Sequence, residues 1–173
     1  MFLRKTRIEP LPVTMSAVRM GERVLQIGVD DAAIASAIAA KVGLSGNAAI
    51  AVTDERDAAR AQRATASAGI LVDVKVTPLE SLPFDSDAFD LVVVNARHGL
   101  APHEAIREWH RVLRHGGRVM TIEGGPATGV AAMFKTHRAP EGDVVAALEA
   151  GGFRPARLLA EREGYRFAEG IKS

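Results

Sequence analysis

The sequence predicts a doubly wound α/β fold: a seven-stranded, mostly parallel sheet closed by an antiparallel C-terminal β-hairpin, with helices on both faces. Two observations carry this. Short apolar runs alternate with helical stretches along most of the chain, the order that sets parallel strands beside crossover helices. Near the C-terminus the last two runs are separated only by Arg162, Glu163 and Gly164, a connection too tight for anything but antiparallel neighbours.

Each element has its own signal. Residues 23–28 form an apolar run ending in Gly28, and Asp30 to Val42 reads as a helix opened by acids and stopped by Gly43. Ala48 to Thr53 is the second strand, followed by an Ala/Arg-rich helix from Asp54 to Ala68 that Gly69 ends. Ile70 to Val76, Asp90 to Asn95 and Gly117 to Glu123 are three further strands, with the unbroken apolarity of strands covered on both faces. Ala105, Ile106, Trp109, Val112 and Leu113 recur at helical spacing between Pro102 and Arg114, which predicts a crossover helix with Trp109 in the core. Asp143 to Ala150 is an N-capped helix stopped by Gly151 and Gly152, and Ala156 to Glu161 and Tyr165 to Ile171 form the hairpin. Residues 124–142, rich in Gly, Ala and Pro, make the longest loop, and such loops in compact domains tend to be functional.

The 173 residues suit one domain spanning 1–173, with a short N-terminal segment over 1–20 and no room for a separate substrate domain. Lys and Arg total 22 against 21 Asp and Glu, a net charge of +1 that argues against a nucleic-acid partner. No apolar stretch approaches the roughly 18 residues a membrane helix needs, and the start of the chain lacks the apolar core of a signal peptide. The absence of cysteine excludes disulfides and thiol chemistry. The expectation is a cytoplasmic protein without membrane or nucleic-acid partners.

Several stretches, in order, resemble the class I S-adenosylmethionine-dependent methyltransferase family, from about Met20 to Lys172. Residues 21–28 resemble its first strand and glycine turn. Leu82-Pro83-Phe84 with the strand from Phe89 is similar to the approach to strand four in the quinone and sterol methyltransferase branch. Glu108, Arg111, Val112, Leu113, Gly116 and Gly117 resemble the signature leading into strand five, with His115 at the usual proline. Gly152-Phe153 and the stretch from Glu161 to Phe167 continue the match. The resemblance implies a Rossmann-like sheet with a reversed final strand, S-adenosylmethionine as cofactor, and a small-molecule substrate, quinone-like in this branch.

The glycine turn is degenerate: the positions that read acidic-x-Gly-x-Gly-x-Gly in the family read Gln26, Ile27, Gly28, Val29, Asp30, Asp31 and Ala32 here. The resemblance assigns Gly28, Val29 and Asp30 to the amino acid and ribose parts of the cofactor. Thr53 and Asp54 compete for the ribose position, with Asp54 chemically able to fill it, and Leu79 meets the adenine, with Pro78 standing where the family has an acid. Asn95 and His98 fall on the methyl-accepting side, His98 as a general base and Asn95 as a contact to cofactor or substrate, though Asn95 can equally end its strand with a turn.

Each feature has a plainer reading beside it. Gly28 suits any strand-to-helix turn, and Asp30 and Asp31 suit a helix cap. Two carboxylates at that helix N-terminus would repel a pyrophosphate, which disfavours a dinucleotide. Four of the five histidines, His98, His103, His110 and His115, lie close in sequence, but His103 and His110 stand about 10.5 Å apart along a helix, too far to share a metal. Lys135, His137 and Arg138 either bind an anionic group or line a solvated loop. The residues before the first strand leave room for at most one small helix where the family caps its substrate pocket. The loop 124–142 or a second subunit would then complete the pocket of a homo- or hetero-oligomer. The alternative function is a methyltransferase-like binding or assembly subunit without catalysis.

Overall fold

A computed structural model describes residues 9–96, 101–126 and 143–173. The elements follow the expected order: α1 (Leu11–Met15), β1 (Arg23–Ile27), α2 (Ala32–Ala40), β2 (Asn47–Val52), α3 (Glu55–Ser67), β3 (Asp73–Val76), β4 (Phe89–Ala96), α4 (His103–Val112), β5 (Leu113–Gly124), α5 (Val144–Ala150), β6 (Phe153–Arg162) and β7 (Tyr165–Lys172). They build one seven-stranded sheet in the order β3-β2-β1-β4-β5-β7-β6. β1 to β5 are parallel, and β7 pairs antiparallel with both β5 and β6, so β7 alone runs against the rest. One core, with Leu25, Val92, Trp109, Val119, Leu148 and Phe153, lies on the α4 and α5 face. Two smaller ones, under α1, α2 and α3, cover the other.

Local chemistry sets the helix ends. Asp31 is extended and its Oδ1 accepts from the N–H groups of Ala33 and Ile34, so α2 starts at Ala32 and not at Asp30. It stops at Ala40, ahead of the expected Val42, because the N–H groups of Lys41 and Val42 bond three residues back, to Ile38 and Ala39, before Gly43 turns the chain. Asp54 caps α3 through Asp57 N–H, and α3 ends in a Schellman motif: Ile70 N–H reaches Thr65 O while Gly69, at φ +70°, bonds Ala66 O.

Three strand starts differ from expectation by three residues or more: those of β3, β5 and β6, the last beginning at Phe153, which pairs with Lys172, and not at Ala156. β3 begins at Asp73, because ladder pairing with β2 starts at Ala49 and Asp73, while Ile70 and Val72 only pack against the core. β5 begins at Leu113, directly from α4, and pairs with Phe89 before an irregularity in the ladder. Gly117 passes so close to the carbonyls of Arg114 and Asp90 that a Cβ would meet them at 2.8 and 3.2 Å.

Asp90, at the start of β4, ties three strands together: it accepts from the backbone and side chain of Arg23 on β1 (2.7 and 3.3 Å) and from Arg114 on β5 (2.5 Å). Burial alone would raise its carboxyl, but these bonds outweigh burial and bring it down to about 2. A carboxylate lowered on folding stabilises the fold above its unfolded value and loses that contribution as pH falls. About 2 kcal/mol should therefore disappear between roughly pH 4 and pH 2. Asp90→Asn is expected to lack this acid-dependent loss in urea titrations run across that range. A variant with the wild-type slope would show that the staple does not carry it.

Candidate functional site

The ends of the parallel strands gather the candidate residues at one edge of the sheet, where open α/β folds bind ligands. After β1 the chain turns at Gly28, whose φ of +74° favours glycine, and a Cβ there would meet the Asn95 carbonyl at 3.1 Å. The turn is held from three sides. Gly28 N–H donates to Ala51 O on β2 (2.9 Å), Asn95 Nδ2 at the end of β4 donates to Gly28 O (3.0 Å), and Arg60 of α3 donates to Asp30 O (2.9 Å) while bonding Asp57 (2.8 Å). The expected Gly28, Asp30 and Asn95 are thus brought together, and Asn95 acts as a strand-end tie.

Val29 is 3% exposed and packs into the α2/α3 core, so only its backbone can meet a ligand. Asp30 is half-buried and Asp54 exposed at the end of β2. Among the described residues Asp54 uses only Oδ1, for its cap. After β3, Thr77 N–H bonds Val52 O and its hydroxyl bonds Ser81 O, closing a turn that carries the half-buried Leu79 against the core. His98, Lys135, His137 and Arg138 lie outside the described residues.

Gln26, which takes the place of the acid that leads the family's glycine turn, is fully buried and donates to Ala35 O at 2.9 Å, fastening β1 to α2. Its Oε1 has no donor among the described residues. The signature around strand five has a structural purpose. Arg111 donates to Leu82 O, Phe84 O and both oxygens of Glu108, and Glu108 accepts from Leu82 N–H at 2.9 Å. α4 therefore clamps the Leu82-Pro83-Phe84 segment that follows the turn carrying Leu79. The hydrogen bond from Arg111, against the opposing effect of burial, holds the Glu108 carboxyl below its usual range.

Two residues of this edge are not among the candidates read from the sequence. Arg60 gives no local signal, because its partner Asp30 is thirty residues away. Glu123 does give one, as the only charged residue closing the apolar run from Val119 to Ile122. It is 2% exposed at the end of β5 and lies 3.8 Å from Arg166. Among the described residues no group of three or more His, Cys, Asp and Glu converges as a metal site, and His110 packs edge-on to Phe153 at 5.2 Å. Shallow grooves beside α2 and α3 are lined mainly by Ala, Gly and aliphatic residues and lie away from this edge.

The family model described as a methyltransferase domain matches residues 17–121. Among curated proteins the chain is 28% identical over 120 residues to a ubiquinone/menaquinone biosynthesis C-methyltransferase from Hydrogenovibrio crunogenus, covering 67% of this chain and 47% of that one. It is 33% identical over 110 residues to the protein of the same name from Bordetella parapertussis, covering 62% and 43%. The chain thus spans about half the length of the curated relatives it matches. Among solved structures, a SAM dependent methyltransferase from Aquifex aeolicus aligns with a TM-score of 0.76 at 16% identity, covering 93% of this chain and 87% of that one. Among the described residues no helix is long and apolar enough to cross a membrane.

Proposed function

Since the chain belongs to the class I S-adenosylmethionine-dependent methyltransferase family, we propose that it transfers the methyl group of S-adenosylmethionine to a nucleophile on a small molecule, quinone-like in character. The observation that carries this reading is the series of groups closing successive strands: Asp30 after β1, Asp54 after β2 and Leu79 after β3. Two carboxylates and an apolar side chain complement a ligand with a cationic end, a diol and a purine, so the donor set fits the cofactor. The cofactor would supply an electrophilic methyl on a sulfonium.

Asp30 holds the ammonium group. Asp54 accepts from the ribose hydroxyls through the oxygen its cap does not use, and Leu79 offers an apolar surface to adenine. The bond from Gly28 N–H to Ala51 O and the bond from Asn95 to Gly28 O hold the turn in one conformation before binding, so little ordering cost is added when ligand arrives. Methyl transfer needs mainly positioning and exclusion of water, and the fixed strand ends supply the first. His98 stands on the acceptor side in this reading, three residues after Asn95 in sequence. A second subunit or the 124–142 segment completes the pocket.

Calorimetric titration with S-adenosylmethionine and S-adenosylhomocysteine tests the reading. Saturable binding is expected. Asp54→Asn, which keeps a competent helix cap, should weaken both ligands about tenfold, the loss of one charge-assisted hydrogen bond. No heat and no thermal stabilisation at millimolar ligand would refute the methyltransferase reading and favour the non-catalytic binding subunit. An unchanged affinity in Asp54→Asn would refute the ribose assignment alone.

A further inference from the structure

Among the described residues, Glu123 is the one buried acid of the sheet whose surroundings do not account for it. It pairs in register with Ala96 on β4 and with Arg166 on β7, and residues paired across strands share a face. Its side chain therefore stands at the end of β5, beside the end of β4. At 3.8 Å, Arg166 Nη1 is an ion-pair partner too distant to donate a hydrogen bond, and Arg166 is shared with Glu161, whose Oε1 lies 3.3 Å from its Nε. Oε2 of Glu123 has no hydrogen-bond donor among the described residues.

As a structural device this arrangement is poor. A buried carboxylate needs donors to offset its desolvation, and an apolar or amide side chain would fill the same space at lower cost. Its position is nevertheless tightly set. Gly125 N–H bonds Gly164 O at 3.0 Å, and a Cβ on Gly124, at φ +75°, would meet that same oxygen at 2.6 Å. The exit of β5 is thereby locked to the hairpin turn.

Resting on the methyltransferase reading above, we propose that Glu123 is a catalytic residue on the acceptor side of the site, the base that takes the proton released by the methyl acceptor. The balance closes. The acceptor's X–H proton goes to the carboxylate, the X–CH3 bond forms, and sulfur keeps the electron pair of the broken S–CH3 bond. One positive and one negative charge are consumed together, leaving a neutral thioether, a neutral carboxyl and the methylated product. Burial raises the Glu123 carboxyl above its usual range, and Arg166 pulls it back only in part; a base closer to neutrality is better matched to proton transfer at physiological pH. Among the described residues the charged groups around it are Arg166 and, through it, Glu161.

The test needs no acceptor. S-adenosylmethionine and S-adenosylhomocysteine differ by the methyl and its sulfonium charge, so only the first should lower the pKa of a carboxylate facing the methyl. The ratio of their affinities, measured by calorimetry from acid to neutral pH, should then rise with pH in favour of S-adenosylmethionine, by about tenfold where the bound sulfonium lowers that pKa by about one. In Glu123→Gln that rise should vanish while S-adenosylhomocysteine binds as in wild type. A flat ratio in wild type, or a rise that persists in Glu123→Gln, overturns the assignment. If the variant fails to fold, carboxyl-13C glutamate in the wild-type protein gives the same answer: a buried carboxyl resonance whose midpoint falls with S-adenosylmethionine and not with S-adenosylhomocysteine supports it, and equal midpoints overturn it. Absence of binding by either ligand to wild type is a different failure, that of the methyltransferase reading itself.

Discussion

Trp109→Ala should cost about 3–5 kcal/mol, the range for removing a buried large aromatic side chain, and so bring a domain of ordinary stability close to unfolding at room temperature. Trp109 is 1% exposed on α4 and sits in the core that joins α4 and α5 to the sheet, with Val92, Val119, Leu148 and Phe153. Its neighbours belong to fixed strands and a second helix, so the cavity left behind cannot collapse. Trp109→Phe separates packing from polarity. The indole Nε1 has no acceptor among the described residues, so the ring carries a buried donor whose removal offsets part of the lost volume. The Phe variant should lose markedly less than the Ala variant, about 1–2 kcal/mol. Urea unfolding followed by circular dichroism measures both, since each variant lacks the chain's one tryptophan and its fluorescence. Equal losses in the two variants would mean that the indole N–H does have a partner.

Breaking the clamp of Glu108 and Arg111 is expected to have the second largest effect, and it should reach the site as well as the fold. Arg111→Ala removes the donor to Leu82 O (3.0 Å) and Phe84 O (2.8 Å) and strips Glu108 of its counter-ion. Glu108→Ala leaves Leu82 N–H without its acceptor. Each should cost about 2 kcal/mol, since the arginine is partly solvated and its ion pair alone is worth little. The two effects should be strongly non-additive, with a coupling of about 1 kcal/mol or more in a double-mutant cycle. Arg111→Lys should not rescue, because an ammonium cannot serve two carbonyls and a carboxylate in the fork geometry that a guanidinium provides. Leu79 lies in the turn just before this segment, so S-adenosylhomocysteine binding should weaken in Arg111→Ala under conditions where the protein is still folded. A lysine variant as stable as wild type, or additive single effects, would show that the clamp is incidental.

The fold was legible because most of its signals are local. Periodicity marked the helices and strands, the pair Asp30 and Asp31 and, at the last helix, Asp143 marked helix starts by cap chemistry, and Gly69 marked a stop. The errors fell at element ends, some decided by local bonds, as at both ends of α2, and some by a distant pairing. Ile70 to Val72 are apolar enough for a strand, yet the ladder with β2 begins only at Asp73. The candidate site was legible as positions after strands, since element order alone sends those positions to one edge. Its internal connections were not. Asn95 bonds Gly28 across 67 residues of chain, and Arg60 reaches Asp30 across 30.

What the sequence determined by itself is the succession of strands and helices, the antiparallel hairpin, and the acids and apolar residue that follow β1, β2 and β3, because each depends on a residue and its near neighbours. Only the tertiary structure decided which hairpin strand meets β5. A tight turn obliges β6 and β7 to pair with each other and leaves open which of them lies inside. Burial settles it: Phe167, Ala168 and Gly170 make β7 fit for a position covered on both faces, while β6 is mostly exposed and carries Pro155 at the outer edge. That choice brings Arg166 beside Glu123 and locks Gly124 against Gly164. An acid that reads in the sequence as the polar end of a strand thereby becomes a buried carboxylate beside the end of β4.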